Sequence, residues 1–274
     1  MTKSRNKDFT LWNTEMAYGD KHRTFVQILM QAGIMSENII QQVVTEIFAQ
    51  NPVSYHVAFI NLHLDTVGFM IKSCLSELTG ERYYMLTSTT METATIPQTQ
   101  FTKAQLEMLR CIYGGIIESP EGRVLGNACL GLCGKMENPI TLTNAQVFLD
   151  NVVRSKWLDF KDNHYYIGPR SIMELMSYFK STHDKAFNVC SLCKQTVFHG
   201  RPCEQCETMS HLYCLARAAK VQNPLKCSNC KVELPTDDLP DVPDTRSNVN
   251  DATQLGTQSS QTRVKRSKKT GHEH

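Results

Sequence analysis

Residues 190–230 read CSLCKQTVFHGRPCEQCETMSHLYCLARAAKVQNPLKCSNC. Seven of the 11 cysteines of the chain fall in this stretch, joined by His211, with the spacing Cys190-x2-Cys193-x9-Cys203-x2-Cys206-x4-His211-x2-Cys214-x12-Cys227-x2-Cys230. Each two-residue gap lets both side chains of a pair reach one tetrahedral ion from a tight turn, with zinc–sulfur bonds of about 2.3 Å. Four such pairs divide without remainder into two closed sites, and closed sites are structural rather than hydrolytic. Cysteines clustered in this way point to metal when the surroundings are reducing and to a disulfide framework when they are not. The N-terminal segment MTKSRNKDFT lacks the apolar core of a signal peptide, and no run approaches 18 apolar residues. A soluble, intracellular chain with no membrane association is therefore expected.

Outward from this stretch, composition divides the rest. The chain has 274 residues, about twice the modal domain length, so two or three domains are expected. Hydrophobic residues make up 41% and charged residues 20%, enough for compact cores. The net charge of +2 gives no overall electrostatic grip on nucleic acid. A Thr-rich segment with one proline, residues 87–100, reads as a linker. From residue 236 apolar residues nearly vanish; an acidic run gives way to the basic Arg263–Lys269, and residues 236–274 read as a disordered tail.

Residues 18–86 carry a recognisable order. A helix with Phe25, Ile28, Leu29 and Ala32 on one face ends at Gly33. A second, capped by Ser36, bears Ile39, Val43 and Ile47; Asn51-Pro52 breaks it, and a third runs to about His63. The period then changes to two at Phe69, Ile71, Ser73 and Leu75, and Thr79-Gly80 turns into a second strand, Arg82–Leu86. Three helices and a hairpin are the outline of a winged helix. Residues 101–183 repeat it. A helix from Thr102 carries Leu106, Leu109, Ile112 and Ile116, and a glycine-interrupted segment spans Leu125–Gly134. A capping box at Thr143–Gln146 opens the next helix, and a hairpin joins Trp157–Phe160 to Tyr165–Ile167. A last helix bears Ile172, Leu175, Met176 and Phe179. Trp157 and Tyr166 read as core, His56, His63 and His164 carry no motif, and Cys74, Cys111, Cys129 and Cys133 read as ordinary core thiols.

Spacing alone leaves two pairings of the metal ligands. Serial pairing gives a tandem zinc ribbon. Interleaved pairing gives a cross-brace, with Cys190, Cys193, His211 and Cys214 on the first zinc and Cys203, Cys206, Cys227 and Cys230 on the second. The x9, x4 and x12 gaps resemble those of RING and PHD modules, and the helix-prone Leu215–Lys220 sits where a RING places its central helix, so the cross-brace is favoured. Histidine as the fifth ligand looks like PHD or a variant RING. Leu225 stands where PHD modules carry an aromatic residue, and only Phe198 and Tyr213 offer material for a methyl-lysine cage. Leu192 matches the aliphatic position with which RINGs touch a ubiquitin-conjugating enzyme, and Lys231 the basic position that steadies its bound ubiquitin. Ala218 and Ser228 replace the usual tryptophan and proline. A variant RING is the better fit.

Two winged-helix segments followed by a variant RING resemble the non-SMC element one family, the variant-RING subunit of the SMC five-six complex. The resemblance spans about residues 20–235. It is carried most specifically by Val189–Cys193, Cys203–Glu207 and Met209–Cys214, with Val153–Leu158 leading into the second wing. It implies a mixed α+β, multidomain protein: a first winged helix (1–86), a linker (87–100), a second winged helix (101–183), a zinc module (184–235) and a tail. It further implies a RING-type ubiquitin ligase subunit with two structural zinc ions, acting in DNA repair and recombination in the nucleus, on chromatin. Implied partners are a MAGE-type subunit, a kleisin subunit and a ubiquitin-conjugating enzyme. The alternative is a non-enzymatic or PHD-like module that braces the complex. A DNA contact is not indicated by charge, because the helix Asn144–Lys156 offers only Arg154 and Lys156 beside Asp150. The Arg263–Lys269 run reads as a nuclear-import signal or a solvated tail.

Overall fold

The computed structural model describes residues 17–89, 100–183 and 187–242. Most of the 87–100 segment and all of the tail beyond residue 242 lie outside these. Among the described residues no helix is long and apolar enough to cross a membrane.

The first part runs α1 (Asp20–Ala32), β1 (Met35–Ser36), α2 (Glu37–Phe48), α3 (Val53–Leu64), β2 (Phe69–Leu75) and β3 (Arg82–Ser88). Its sheet has the order β1-β3-β2, all antiparallel. The apolar faces of the three helices meet over this sheet, and Phe25, Leu29, Ile40, Val44, Ile60, Ile71 and Tyr84 form the core. The second part repeats the order: α4 (Lys103–Glu118), β4 (Val124–Leu125), α5 (Gly126–Leu130), α6 (Leu142–Arg154), β5 (Leu158–Lys161) and β6 (His164–Ile167). Its sheet is β4-β6-β5, the same arrangement as the first. Helix α7 (Pro169–Thr182) follows, with proline at its first position, where a missing N–H costs nothing. Met108, Ile112, Phe148, Leu149, Trp157, Leu158 and Phe179 fill this second core. The repeated outline expected from the sequence is thus present. Each sheet also gains a third strand, β1 or β4, which at two residues is too short to show a period.

Capping differs from expectation. Helix α6 starts at Leu142, and its cap is Thr141, whose hydroxyl accepts from the Asn144 amide at 3.3 Å, two residues before the expected box. The reciprocal capping box lies instead on α4. There Thr102 Oγ1 accepts from Gln105 N, and Gln105 Oε1 accepts from Thr102 N at 2.9 Å. Thr102→Ala should destabilise this helix start by about 1 kcal/mol, read as faster amide exchange in its first turn. The second hairpin turns at Asp162 (φ 49°) and Asn163 (φ 59°), the left-handed pair that a two-residue loop requires.

The two repeats are joined through their hairpins and α7. Ser76 Oγ donates to Asp159 Oδ2 at 2.8 Å, and Lys156 Nζ reaches Asp159 Oδ1 at 3.1 Å while lying 5.1 Å from the Tyr83 ring centre. Met173 of α7 packs on Tyr83 and Met85.

The third part holds β7 (Arg201–Pro202), β8 (Met209–Ser210) and α8 (Leu212–Ala219), so the expected central helix begins three residues early. Val197, Tyr213, Ala216 and Val242 form its core, with Leu75 of β2 and Leu239 packed against it. Leu239 and Val242, expected to belong to the tail, are therefore packed. Val242 is fully covered, and its carbonyl accepts from Lys220 Nζ at 2.6 Å.

Candidate metal centre

Three of the four ligand pairs share one local geometry. In each, the amide of the first cysteine donates to the carbonyl five residues on: Cys190 to Gln195, Cys203 to Thr208 and Cys227 to Val232, at 2.8–3.0 Å. The residue after the second cysteine returns a bond to the first: Lys194 to Cys190, Glu207 to Cys203 and Lys231 to Cys227. Lys194, Glu207 and Lys231 all take positive φ, between 57° and 64°. This left-handed step folds the chain back so that both thiols of a pair face inward. The fourth pair is built differently. His211 is the N-cap of α8, and Cys214 lies one turn further, so helical spacing puts both on one face.

The fold brings Cys190, Cys193, His211 and Cys214 together in one cluster and Cys203, Cys206, Cys227 and Cys230 in another, with the ligand atoms of each within 4.8 Å of one another. A tetrahedral ion with bonds of about 2.3 Å has sulfur–sulfur edges of about 3.8 Å. Cys203 and Cys230 stand 3.6 Å apart and Cys206 and Cys227 3.7 Å, so the second cluster has the dimensions of such an ion's coordination shell. In the first, His211 Nδ1 lies 3.3 Å from Cys193 Sγ and 3.9 Å from Cys214 Sγ. Its Nε2 faces two acceptors, Thr196 O at 3.1 Å and Glu77 Oε1 at 3.2 Å. Nε2 must therefore carry the proton, which leaves the Nδ1 lone pair facing the thiols. Three thiols and an imidazole, and four thiols, are donor sets that suit Zn²⁺.

Electrostatics separate Cys206 from the buried core thiols. The Thr208 hydroxyl, 3.2 Å from Cys206 Sγ, draws that thiol down to about 6. Burial pushes Cys74 and Cys129 up to about 12, out of reach of thiolate chemistry. Cys133 is buried too, but Cys111 is exposed, contrary to its expected place in the core. Trp157 and Tyr166 are buried as expected. His56, His63 and His164 bond nearby carbonyls of Gln50, Phe59 and Asp162, and none joins either cluster.

Leu192, 42% exposed, and Lys231 line one groove of about 120 Å³ between the two clusters and α8; Pro202, Leu215, Leu225 and Leu234 complete its apolar wall. Phe198 and Tyr213, the only material for an aromatic cage, are taken up in packing. Phe198 stands edge-on to Phe179 and Phe187, and Tyr213 stacks on His211 at 4.7 Å. No sequence motif marks Glu77. It lies in the β2–β3 turn, 3% exposed, and accepts from Phe198 N at 3.0 Å and His199 N at 2.7 Å besides facing His211.

The family model described as "Nse1 non-SMC component of SMC5-6 complex" matches residues 22–131. Curated relatives extend the likeness over most of the chain. "Non-structural maintenance of chromosomes element 1 homolog" of Xenopus tropicalis is 26% identical over 232 residues, 81% of this chain and 85% of the relative. Its Homo sapiens counterpart is 25% identical, covering 77% and 82%. The chain is thus similar to Nse1 proteins along most of its length. The fold agrees: a solved chain titled "Nse1-Nse3-Nse4 complex" superposes with a TM-score of 0.66 at 24% identity, over 80% of this chain and 98% of that one. The family model covers the first repeat and the start of the second, whereas the likeness over the rest of the chain rests on the curated relatives and on the fold.

Proposed function

We propose that this chain is a RING-type ubiquitin-protein ligase subunit of an SMC five-six complex, acting in DNA repair and recombination in the nucleus, on chromatin. Its two repeats are read as winged helices (1–86 and 101–183) and its third part as a cross-brace variant RING (184–235) extended by Leu239 and Val242. The eight clustered side chains hold two structural zinc ions, which supply no bond-making chemistry and fix the loops that carry the docking surface.

The observation that carries the ligase reading is the groove between the two clusters, where Leu192 is exposed beside an apolar wall and Lys231 lies on the same surface. A ligase of this type forms no covalent bond with ubiquitin. The protein binds a charged conjugating enzyme and holds its thioester where the substrate amine attacks, so the gain comes from positioning. Leu192 anchors the conjugating enzyme and Lys231 steadies its ubiquitin.

Partner binding falls to the winged helices. Lys156, one of only two basic residues at the end of α6, is engaged by Asp159 and Tyr83, which leaves little positive charge for a DNA groove. Leu125, Leu142, Val147 and Phe160 of the second repeat are exposed instead, which suits a protein surface. The solved relative's title names Nse3 and Nse4, and on this reading the partners are a MAGE-type and a kleisin subunit. The bracing alternative keeps the same partners without enzymatic turnover. Its histone-reading form is disfavoured, because Phe198 and Tyr213 are packed away.

Single-turnover discharge of ubiquitin from charged conjugating enzymes, with and without the MAGE-type partner, tests this reading. The chain with its partner should accelerate discharge. Leu192→Ala should slow it about tenfold, the loss of an anchor worth roughly 1.4 kcal/mol, with zinc content unchanged. No acceleration by the intact chain across a panel of conjugating enzymes, with or without partner, would leave the bracing role alone.

A further inference from the structure

The zinc module does not hang from the repeats by a linker alone. The turn between β2 and β3 is pressed into it. A Cβ on Gly80 would stand 2.9 Å from Tyr213 Cβ and 3.0 Å from a methyl of Val242, so only glycine fits the approach. Arg217 of α8 donates to Gly80 O at 3.4 Å. On the second repeat, a Cβ on Gly122 would fall on the Phe198 carbonyl, and His199 Nδ1 lies 2.8 Å from Glu121 O. Between these contacts lies Glu77, 134 residues from His211 in sequence.

We infer that Glu77 is the positioning residue of the first metal site, supplied by the first repeat, and that zinc binding there and docking of the module onto the repeats are one coupled event. The inference rests on the proposed reading of the first cluster as a zinc site.

Glu77 divides its oxygens between two tasks. Oε1 faces His211 Nε2 and also accepts the Phe198 amide; Oε2 accepts the His199 amide. The first task fixes the ring with Nδ1 toward Cys193 and Cys214, the carboxylate–histidine–metal relay that raises ligand basicity and sets the tautomer. The second holds loop 196–199 against the first sheet. Thr196 O is a second acceptor for Nε2, but it belongs to that same loop, so its place also depends on Glu77. A carboxylate buried this deeply needs its donors. Undocking would strand Glu77, and a released His211 would lose the partner that orients it. By linkage the coupling is reciprocal: metal tightens docking as much as docking tightens metal. The consequence for the proposed ligase is a groove held at a fixed angle to the partner-binding repeats.

The test uses the full chain loaded with Co²⁺, whose absorption separates a three-thiolate, one-imidazole site from a four-thiolate site, titrated with a chelator. Glu77→Ala should weaken the three-thiolate site by about 10–100-fold and leave the four-thiolate site unchanged. The nearly isosteric Glu77→Gln, which guards against a folding failure of the alanine variant, should fall between the two. Amide exchange should rise at Phe198 and His199 in both variants. In Cys214→Ser, with Glu77 intact, exchange should rise across the 76–81 turn. An unchanged chelator titration of the three-thiolate site in both Glu77 variants would overturn the inference, even if loop exchange rises, since Glu77 would then only brace the loop. A wild-type chain that takes up no metal would instead overturn the zinc reading itself.

Discussion

On the proposed zinc reading, Cys190→Ser is expected to cost the chain one of two zinc ions and to unfold the first knuckle and the start of α8 within 187–242, leaving the second cluster and the helices of both repeats in place. Cys190 is fully buried, and its amide and carbonyl close the first knuckle. A structural zinc site contributes an apparent ~10–16 kcal/mol to the folding of its module, far more than the small core of Val197, Tyr213, Ala216 and Val242 can replace. Limited proteolysis should cut within 187–242 in the variant and not in the parent. The variant also reports the pairing. In the interleaved arrangement the surviving site is the four-thiolate set Cys203, Cys206, Cys227 and Cys230. Serial pairing would instead leave His211, Cys214, Cys227 and Cys230, and the cobalt spectrum of the variant separates the two.

Trp157→Ala should be the most damaging substitution outside the metal clusters. The indole is completely buried between Phe101, whose ring centre is 5.9 Å away, and the Arg170 guanidinium, 4.5 Å from the ring centre. Its carbonyl accepts from Gly168 N at 3.0 Å and from Ser171 Oγ at 2.5 Å, tying β5 to the start of α7. Removing a large aromatic side chain from such a site costs about 3–5 kcal/mol, and the contact with Arg170 is lost as well. Arg170 is itself held by Glu174 at 3.2 Å, and burial raises the Glu174 carboxyl above its usual range, so this pair is sensitive to any opening of the core. The loss should appear as a lower urea midpoint followed by far-ultraviolet circular dichroism, since Trp157 cannot serve as the reporter once replaced. Zinc content should remain at the parent value.

The elements legible in the sequence were those with a period long enough to read. The faces of α1, α2 and α4, the period-two run Phe69–Leu75 and the Asp162-Asn163 turn each show their structure locally. Strands β1 and β4 were not legible, because two residues have no period and their pairing is set by β3 and β6. The α6 cap was misplaced because Thr141 and Thr143 are equally good acceptors by type, and packing of Ala145 and Phe148 chooses the start. At the metal clusters the ligand residues and their spacing were legible, but the second layer was not. Glu77 and Thr208 act only through the fold, and nothing in Ser76–Gly80 distinguishes that turn from any other polar turn. Leu239 and Val242 look like isolated apolar residues in an acidic tail. Their burial follows from the face that α8 and Leu75 offer them.

On the proposed reading the two clusters are structural zinc sites on which the third part of the molecule depends. Zinc content of freshly purified, folded full-length protein, measured by native mass spectrometry, tests it most directly. Two zinc ions per chain is the expected result. Folded protein carrying none, with residues 187–242 still resistant to proteolysis, would contradict it.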